Sequence, residues 1–318
     1  MNKKIQSAFA IALALTAAFA PTAFAETLHV RAGKLVDTLK GAVLTDQLVT
    51  IVDDRIESVA PYAAPADGEV LDWSAYTVVP GLIDLHTHLV GDIQSAGLAD
   101  PLFTSGAQDV LIGAGNAKKT LRAGFTTVRD VGSWRAFTDV ALRDAINAGH
   151  IEGPRMAVSG GYFTISGGGG AITGLADDIS LPSDYTAGIV HGAEDARQKA
   201  RNFIQHRVDF LKMIATGAVL TVGTAPGMPE LSEAEMRAIV EEASRFGKYV
   251  TAHAHGAEGA KMAVRAGVRS IEHGSLLDDE ALSLMKKHGV WLVADIYNGD
   301  YINEVGVRDG WPAETMQK

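Results

Sequence analysis

From Val78 to Ile296 short apolar segments alternate with amphipathic helical stretches, and this rhythm limits the fold more than any other feature of the chain. The expected strands are VVPGLIDLH, FTTVRDVG, RMAVSGG, DFLKMIATG, YVTAHAHG, RSIEHG and VWLVADI. Between them lie AQDVLIGAGNAKKTLRAG, WRAFTDVALRDAINAG, AEDARQKARNFIQHR, SEAEMRAIVEEASRFG, AEGAKMAVRAG and DDEALSLMKKHG, all with helical periodicity. Strands separated by helices must lie parallel, because a helical crossover returns the chain to the starting edge of the sheet. A doubly wound sheet and a (β/α)₈ barrel both satisfy that pattern. One helix start is written out in full. Ser232 and Glu235 fit a capping box, and Leu231 with Met236 fits the hydrophobic staple around it. Four of the helical stretches run into Ala-Gly or Phe-Gly before the next strand, as helix C-termini do.

The N-terminal quarter follows another grammar. Residues 26–77 carry short alternating segments punctuated by Asp53-Asp54 and Pro65-Ala66-Asp67-Gly68, which predicts a small β-domain built of hairpins. Residues 1–25 read as a cleavable signal peptide. Lys3 and Lys4 precede the apolar run IALALTAAFA, and Ala23-Phe24-Ala25 forms a small-x-small cleavage site before Glu26. Its removal leaves 26 basic against 38 acidic side chains, a net charge of −12. That charge argues against nucleic acid or an anionic membrane as the main partner. The chain has no Cys, hence no disulfide and no lipidated Cys after the signal. A periplasmic or secreted protein is expected.

Polar residues interrupt the apolar strands at corresponding places. His86 and His88 stand two apart, so they project from one face of the first barrel strand. Lys212 interrupts DFLKMIATG, His253 and His255 end YVTAHAHG, and His273 ends RSIEHG. Functional groups of parallel α/β barrels collect at the C-terminal ends of the strands, and four of these clusters fall there without any adjustment of register. A lone Lys in a buried strand costs several kcal/mol unless it is neutralised or paired. Reaction with CO₂ would make it an anionic carbamate able to bridge two cations. Imidazoles suit Zn²⁺, with oxygen donors completing the shell. The glycine run Ser166–Gly170 lacks the Gly-Lys-Ser/Thr ending of a phosphate-binding loop and is expected to be a loop after the third strand.

The segments VVPGLIDLHTH, FTTVRDVG, DFLKMIATG and LSEAEMRAIVEEASRFGKYVTAHAHGAEGAKMAVRAGVRSIEHGSLLDDEAL together resemble the amidohydrolase superfamily. Within it they are most similar to the branch of imidazolonepropionase-like proteins and metal-dependent Xaa-Pro dipeptidases. The resemblance spans nearly all of residues 27–297. It implies a (β/α)₈ TIM-like barrel over residues 78–318 and, over 26–77, the N-terminal part of a small β-sandwich formed from both chain ends. It implies a divalent metal site, two Zn ions per subunit, held by His86, His88, a carboxylated bridging Lys212, His253 and His273. His255 is the second choice on the fifth strand, and His255 and Arg129 are candidates for substrate binding. Arg129 has an alternative as a barrel-floor ion-pair residue with Asp130.

The family pattern also calls for a general-base Asp on an eighth strand. None is expected in this chain, because Asp300 and Asp309 follow no apolar strand. The barrel therefore reads as truncated after its seventh strand, with the returning sandwich strands missing. A shorter protein closed by dimerisation is the alternative, and a homo-oligomer stays open. The family's His in a Gly-Gly-His-Gly run is likewise replaced by SGGGGAITG. The implied activity is hydrolysis of an amide or peptide C–N bond by a metal-activated water, most simply in a dipeptide or other small molecule. Two alternatives stay open: a cyclic amide or imide hydrolase or deaminase of the imidazolonepropionase kind, and an inactive metal-binding fragment.

Overall fold

A computed structural model of the chain describes residues 26–91, 103–176, 178–295, 297–311 and 313–318. The expected signal peptide, residues 1–25, lies outside the described residues. The chain divides into two compact units, Met1–Pro80 and Gly81–Lys318.

The first unit holds four strands, β1 (Thr27–Asp37), β2 (Ala42–Val52), β3 (Arg55–Pro61) and β4 (Glu69–Val78). They form one sheet in the order β3-β2-β1-β4. β1–β2 and β2–β3 are antiparallel hairpin pairs, whereas β4 lies parallel to β1. Asp53, at the tip of the second hairpin, takes a left-handed φ of 53°, a conformation Asp tolerates better than most side chains. Among the described residues this unit is a single sheet, and the second layer of a sandwich is not among them.

The second unit carries the parallel strands β5 (Leu82–Thr87), β6 (Phe125–Asp130), β7 (Arg155–Val158), β8 (Leu211–Ile214), β9 (Val250–Gly256), β10 (Ser270–Leu276) and β11 (Trp291–Val293). The long helices are α1 (Gly106–Arg122), α2 (Thr138–Asn147), α4 (Ala193–Gln205), α5 (Glu233–Arg245), α6 (Ala257–Ala266), α7 (Asp279–His288) and α8 (Asn298–Asp309), with short turns at α3 (Ser183–Thr186) and α9 (Ala313–Gln317). β5-β6-β7 and β8-β9-β10-β11 are continuous parallel ladders. Three backbone hydrogen bonds join them. Asp209 N donates to Val158 O at 2.8 Å, Phe163 N to Lys212 O at 2.9 Å and Ile214 N to Phe163 O at 2.8 Å. Seven staves thus follow one another around a TIM-like barrel. No ladder joins β11 to β5 among the described residues, and Ile83 and Trp291 on these two strands are 62% and 72% exposed.

Burial explains which stretches became staves. Every residue of β8 and β9 is buried, as expected for strands covered on both faces. Phe163, Phe203, Met213, Ile239 and Ile271 fill the layer between strands and helices with no measurable exposure. Each apolar side chain so buried contributes roughly 2–3 kcal/mol. The capping box at α5 is present: Ser232 Oγ accepts from Glu235 N at 3.3 Å, and Glu235 Oε2 accepts from Ser232 N at 2.8 Å. Leu231 and Met236 beside it are fully buried.

Candidate metal centre

Five imidazoles form a continuous arc at the C-terminal ends of the staves. Ring centroids lie 5.2 Å apart for His88–His86, 4.7 Å for His86–His273, 4.5 Å for His273–His253 and 4.7 Å for His253–His255. Lys212 lines the same cavity, which encloses about 790 Å³. Each neighbouring strand delivers its side chain by simple alternation, except at His273. Glu272 points into the barrel, so the next residue of a regular strand would point out. His273 instead takes φ 71°, the left-handed region, and the β10 register shifts after it. That turn brings its imidazole back inside, at a backbone cost of order 1–3 kcal/mol of the kind that collects at functional sites.

The hydrogen bond at one nitrogen of an imidazole settles which nitrogen is left for a ligand. His88 Nδ1 donates to Gly132 O at 2.7 Å, and His253 Nε2 donates to Gly217 O at 3.2 Å. Nε2 of His88 and Nδ1 of His253 are then the free lone pairs. Gly132 has φ 121°, and a Cβ there would lie 2.7 Å from the Tyr162 ring, so a side chain at this position would push apart the wall that fixes His88. His86 Nδ1 faces Glu272 Oε2 at 3.0 Å, and His273 Nδ1 faces Asp295 Oδ2. His255 Nδ1 contacts Ser275 Oγ at 3.0 Å.

Charge in the site follows from burial. Desolvation, with the Lys212 cation second, holds His88 down at about 4; desolvation and His273 hold His255 at about 4. His86 and His253 are pushed well below the usual imidazole range by the same burial. These four rings are therefore neutral at physiological pH, as metal ligands must be. Lys212 is 1% exposed. Burial lowers it to about 8, against the attraction of Glu272. Asp295 is half-buried; burial pushes it up, but the hydrogen bond with His273 outweighs burial, so it stays below the usual carboxylate range.

Two sets of donors converge closely enough to share an ion: His253, His255 and His273, and His86, His273 and Asp295, with ligand atoms within 4.8 Å of one another in each. The donor types, imidazole nitrogens with one carboxylate oxygen, suit Zn²⁺ or a similar divalent ion. The residues present fit the implied metal. His86, His88, Lys212, His253, His255 and His273, the expected site residues, all line the one cavity. Arg129 does not line it. Its Nη2 donates to both Glu272 oxygens at 2.7 Å and its Nε to Leu85 O at 2.6 Å, beneath the imidazoles, with Glu272 rather than Asp130 as partner. Two acidic residues escaped the sequence reading. Asp295 stands just past β11, where the strand-end rule applied to the histidines would have found it. Glu272 carries no such signal, since one acidic residue before a strand-end His is unremarkable by itself. Asp300 and Asp309 both fall in α8, and Asp309 is paired with its exposed neighbour Arg308.

The barrel carries a ring of side chains able to hold a metal, as hydrolase barrels do, and residues 77–310 match the amidohydrolase family, to which the chain belongs. Among curated proteins it is 30% identical over 269 residues to ochratoxinase of Aspergillus niger, covering 79% of this chain and 54% of the relative. It is 25% identical over 268 residues to imidazolonepropionase of Chromobacterium violaceum, covering 74% and 60%. A solved Xaa-Pro dipeptidase with methionine bound in its active site superimposes with TM-score 0.84 at 31% identity, over 91% of this chain and 72% of that one. The chain spans about half the length of the ochratoxinase it matches.

Proposed function

We propose that the protein is a metal-dependent amidohydrolase that cleaves the C–N bond of a dipeptide or a similar small amide. The observation that carries this reading is the convergence of four strand-end histidines, His86, His88, His253 and His273, with a buried Lys212 around one cavity. The Xaa-Pro dipeptidase and ochratoxinase relatives support the bond type. A divalent ion bound there would polarise the scissile carbonyl and lower the pKa of the attacking water toward neutrality. His86 and His88 would hold it from the first stave, and His253 and His273 from the fifth and sixth. Two ions, zinc by donor type, are proposed, with His255 as a further ligand; the two donor sets overlap at His273, whose one free nitrogen would serve only one of them.

Lys212 is proposed to react with CO₂. Its Nζ lone pair bonds to carbon, a proton is released, and the resulting carbamate would offer anionic oxygens as metal donors. This removes the cost of a buried ammonium. Asp295 is proposed to take the water proton on its carboxylate and return it to the leaving nitrogen, a step typically worth about 10²–10⁴ in rate. Of the two carboxylates that line the cavity, Asp84 and Asp295, it is the one bonded to a histidine ring. Trp134, Tyr162, Tyr297 and Tyr301 form an aromatic wall to the same cavity, which favours a substrate with an apolar side chain. The signal-like residues 1–25 support export to the periplasm or beyond.

The test is a metal count on purified protein followed by a dipeptide library. Two ions and dipeptide turnover support the proposal. Turnover of cyclic amides alone would move the protein to the imidazolonepropionase side, and metal without any turnover would leave a binding scaffold.

A further inference from the structure

Glu272 is fully buried, lines no part of the cavity, and is bonded by four side chains. Arg129 Nη2 reaches both of its oxygens at 2.7 Å. Ser270 Oγ donates to Oε1 at 2.7 Å, and Thr251 Oγ1 donates to the same oxygen. Oε2 faces His86 Nδ1 at 3.0 Å. The carboxylate has no lone pair to spare and no route to solvent, so it touches neither substrate nor ion. A carboxylate whose oxygens already accept from a guanidinium and two hydroxyls can only accept at its remaining contact. His86 must then carry its proton on Nδ1, which leaves the Nε2 lone pair free.

We propose that Glu272, clamped by Arg129, Ser270 and Thr251, is a positioning residue that locks His86 as the Nδ1–H tautomer and so presents Nε2 as a metal ligand. The assignment rests on the metal centre proposed above. Glu272 and Asp295 then have separate roles, since Asp295 borders the cavity whereas Glu272 works from below through His86. Partners of this kind, which hold a ligating imidazole by its other nitrogen, typically contribute about 10–100-fold in metal affinity. In Glu272→Gln the amide can keep Arg129 by turning its oxygen toward it. Its NH₂ then faces His86 Nδ1 and calls for a lone pair there, which moves the imidazole proton to Nε2 and blocks the ligand position.

The test uses the full chain labelled with ¹⁵N-histidine, stripped of metal and titrated with Zn²⁺ alone. The ring resonances of His86 are assigned by their loss in His86→Gln. The wild type should show a protonated Nδ1 and an unprotonated Nε2, and Glu272→Gln should reverse the pair and bind Zn²⁺ about 10–100-fold more weakly. Glu272→Gln with lowered thermal stability but wild-type Zn²⁺ affinity would reduce Glu272 to a buried ion-pair partner and overturn the proposal. A wild-type His86 protonated on Nε2 would overturn it as well, even if the variant failed to fold. Should the wild type take up no Zn²⁺, the proposed function falls, while the tautomer, read without metal, still decides the role of Glu272.

Discussion

Replacing Arg129 by Met tests the most heavily bonded polar contact in the barrel. Arg129 and Glu272 are 9% and 0% exposed at their side chains, and Arg129 Nη2 donates to both Glu272 oxygens. Met fills much of the volume of the Arg stem but leaves the Glu272 carboxylate buried without its cation. Breaking a buried pair from one side costs about 3–5 kcal/mol. Leu85 O also loses its 2.6 Å donor, whereas His86, Ser270 and Thr251 still satisfy part of the carboxylate. A loss near 3 kcal/mol is therefore expected, a fall in Tm of roughly 6–12 °C for a unit of this size. Denaturant unfolding of metal-free protein measures it. The double variant Arg129→Met/Glu272→Leu removes both charges and should recover most of that stability, because a well-packed apolar pair replaces a buried ion pair at little cost. Its Zn²⁺ affinity should stay low, since His86 has lost its acceptor. A single-variant loss below about 1 kcal/mol, of the size seen for exposed pairs, would refute the argument that this carboxylate depends on Arg129.

Four further outcomes follow from the geometry. His86→Ala should lose bound metal while its far-ultraviolet circular dichroism stays that of the wild type; unchanged metal content would remove His86 from the ligand set. Lys212→Ala should lose metal and activity and recover part of both in millimolar short-chain carboxylic acid, whose oxygens replace the carbamate; no recovery in any acid tried would tell against the carboxylated lysine. Asp295→Asn should keep most of its metal but lower kcat by about 10²-fold or more, as removal of a proton acceptor does, and kcat equal to the wild type would discard that role. Burial pushes Asp139 up to about 6, against the bonds it accepts from Gly160 N and Val140 N. A carboxyl group with a raised folded pKa adds stability that is present below its unfolded value and is lost as pH rises through its folded value. Compared with Asp139→Asn, the wild type should therefore lose up to roughly 3 kcal/mol between pH 4 and pH 7, and a pH-independent difference between the two would contradict the raised pKa.

The strand and helix order of the barrel was legible because its signals are local. Alternation, helix periodicity and terminal glycines predict β5 to β11 and the six intervening long helices, and the box at Ser232 predicts the start of α5 to the residue. α8 and α9 went unread, since Tyr297–Lys318 carries neither a strong apolar stripe nor a capping side chain at Tyr297. The five histidines and Lys212 were legible because each ends or interrupts an apolar stave, and alternation places all of them but His273 on one rim. Glu272 and Arg129 were not, because their pairing joins residues 143 positions apart and nothing in either segment announces the other. His273 shows the limit from the opposite side. Strand alternation would put Glu272 and His273 on opposite faces, and only the left-handed backbone at His273 brings both inside. Asp295 was hidden by the expectation of an eighth strand, although it follows an apolar strand just as the histidines do.

Anomalous X-ray scattering at the zinc edge, from crystals grown with Zn²⁺, tests the central claim most directly. The account predicts anomalous density enclosed by His86, His88, Lys212, His253 and His273, with Nε2 of His86 facing it. Zinc found only at surface carboxylates, with those five side chains free of any ion at saturating Zn²⁺, would contradict it.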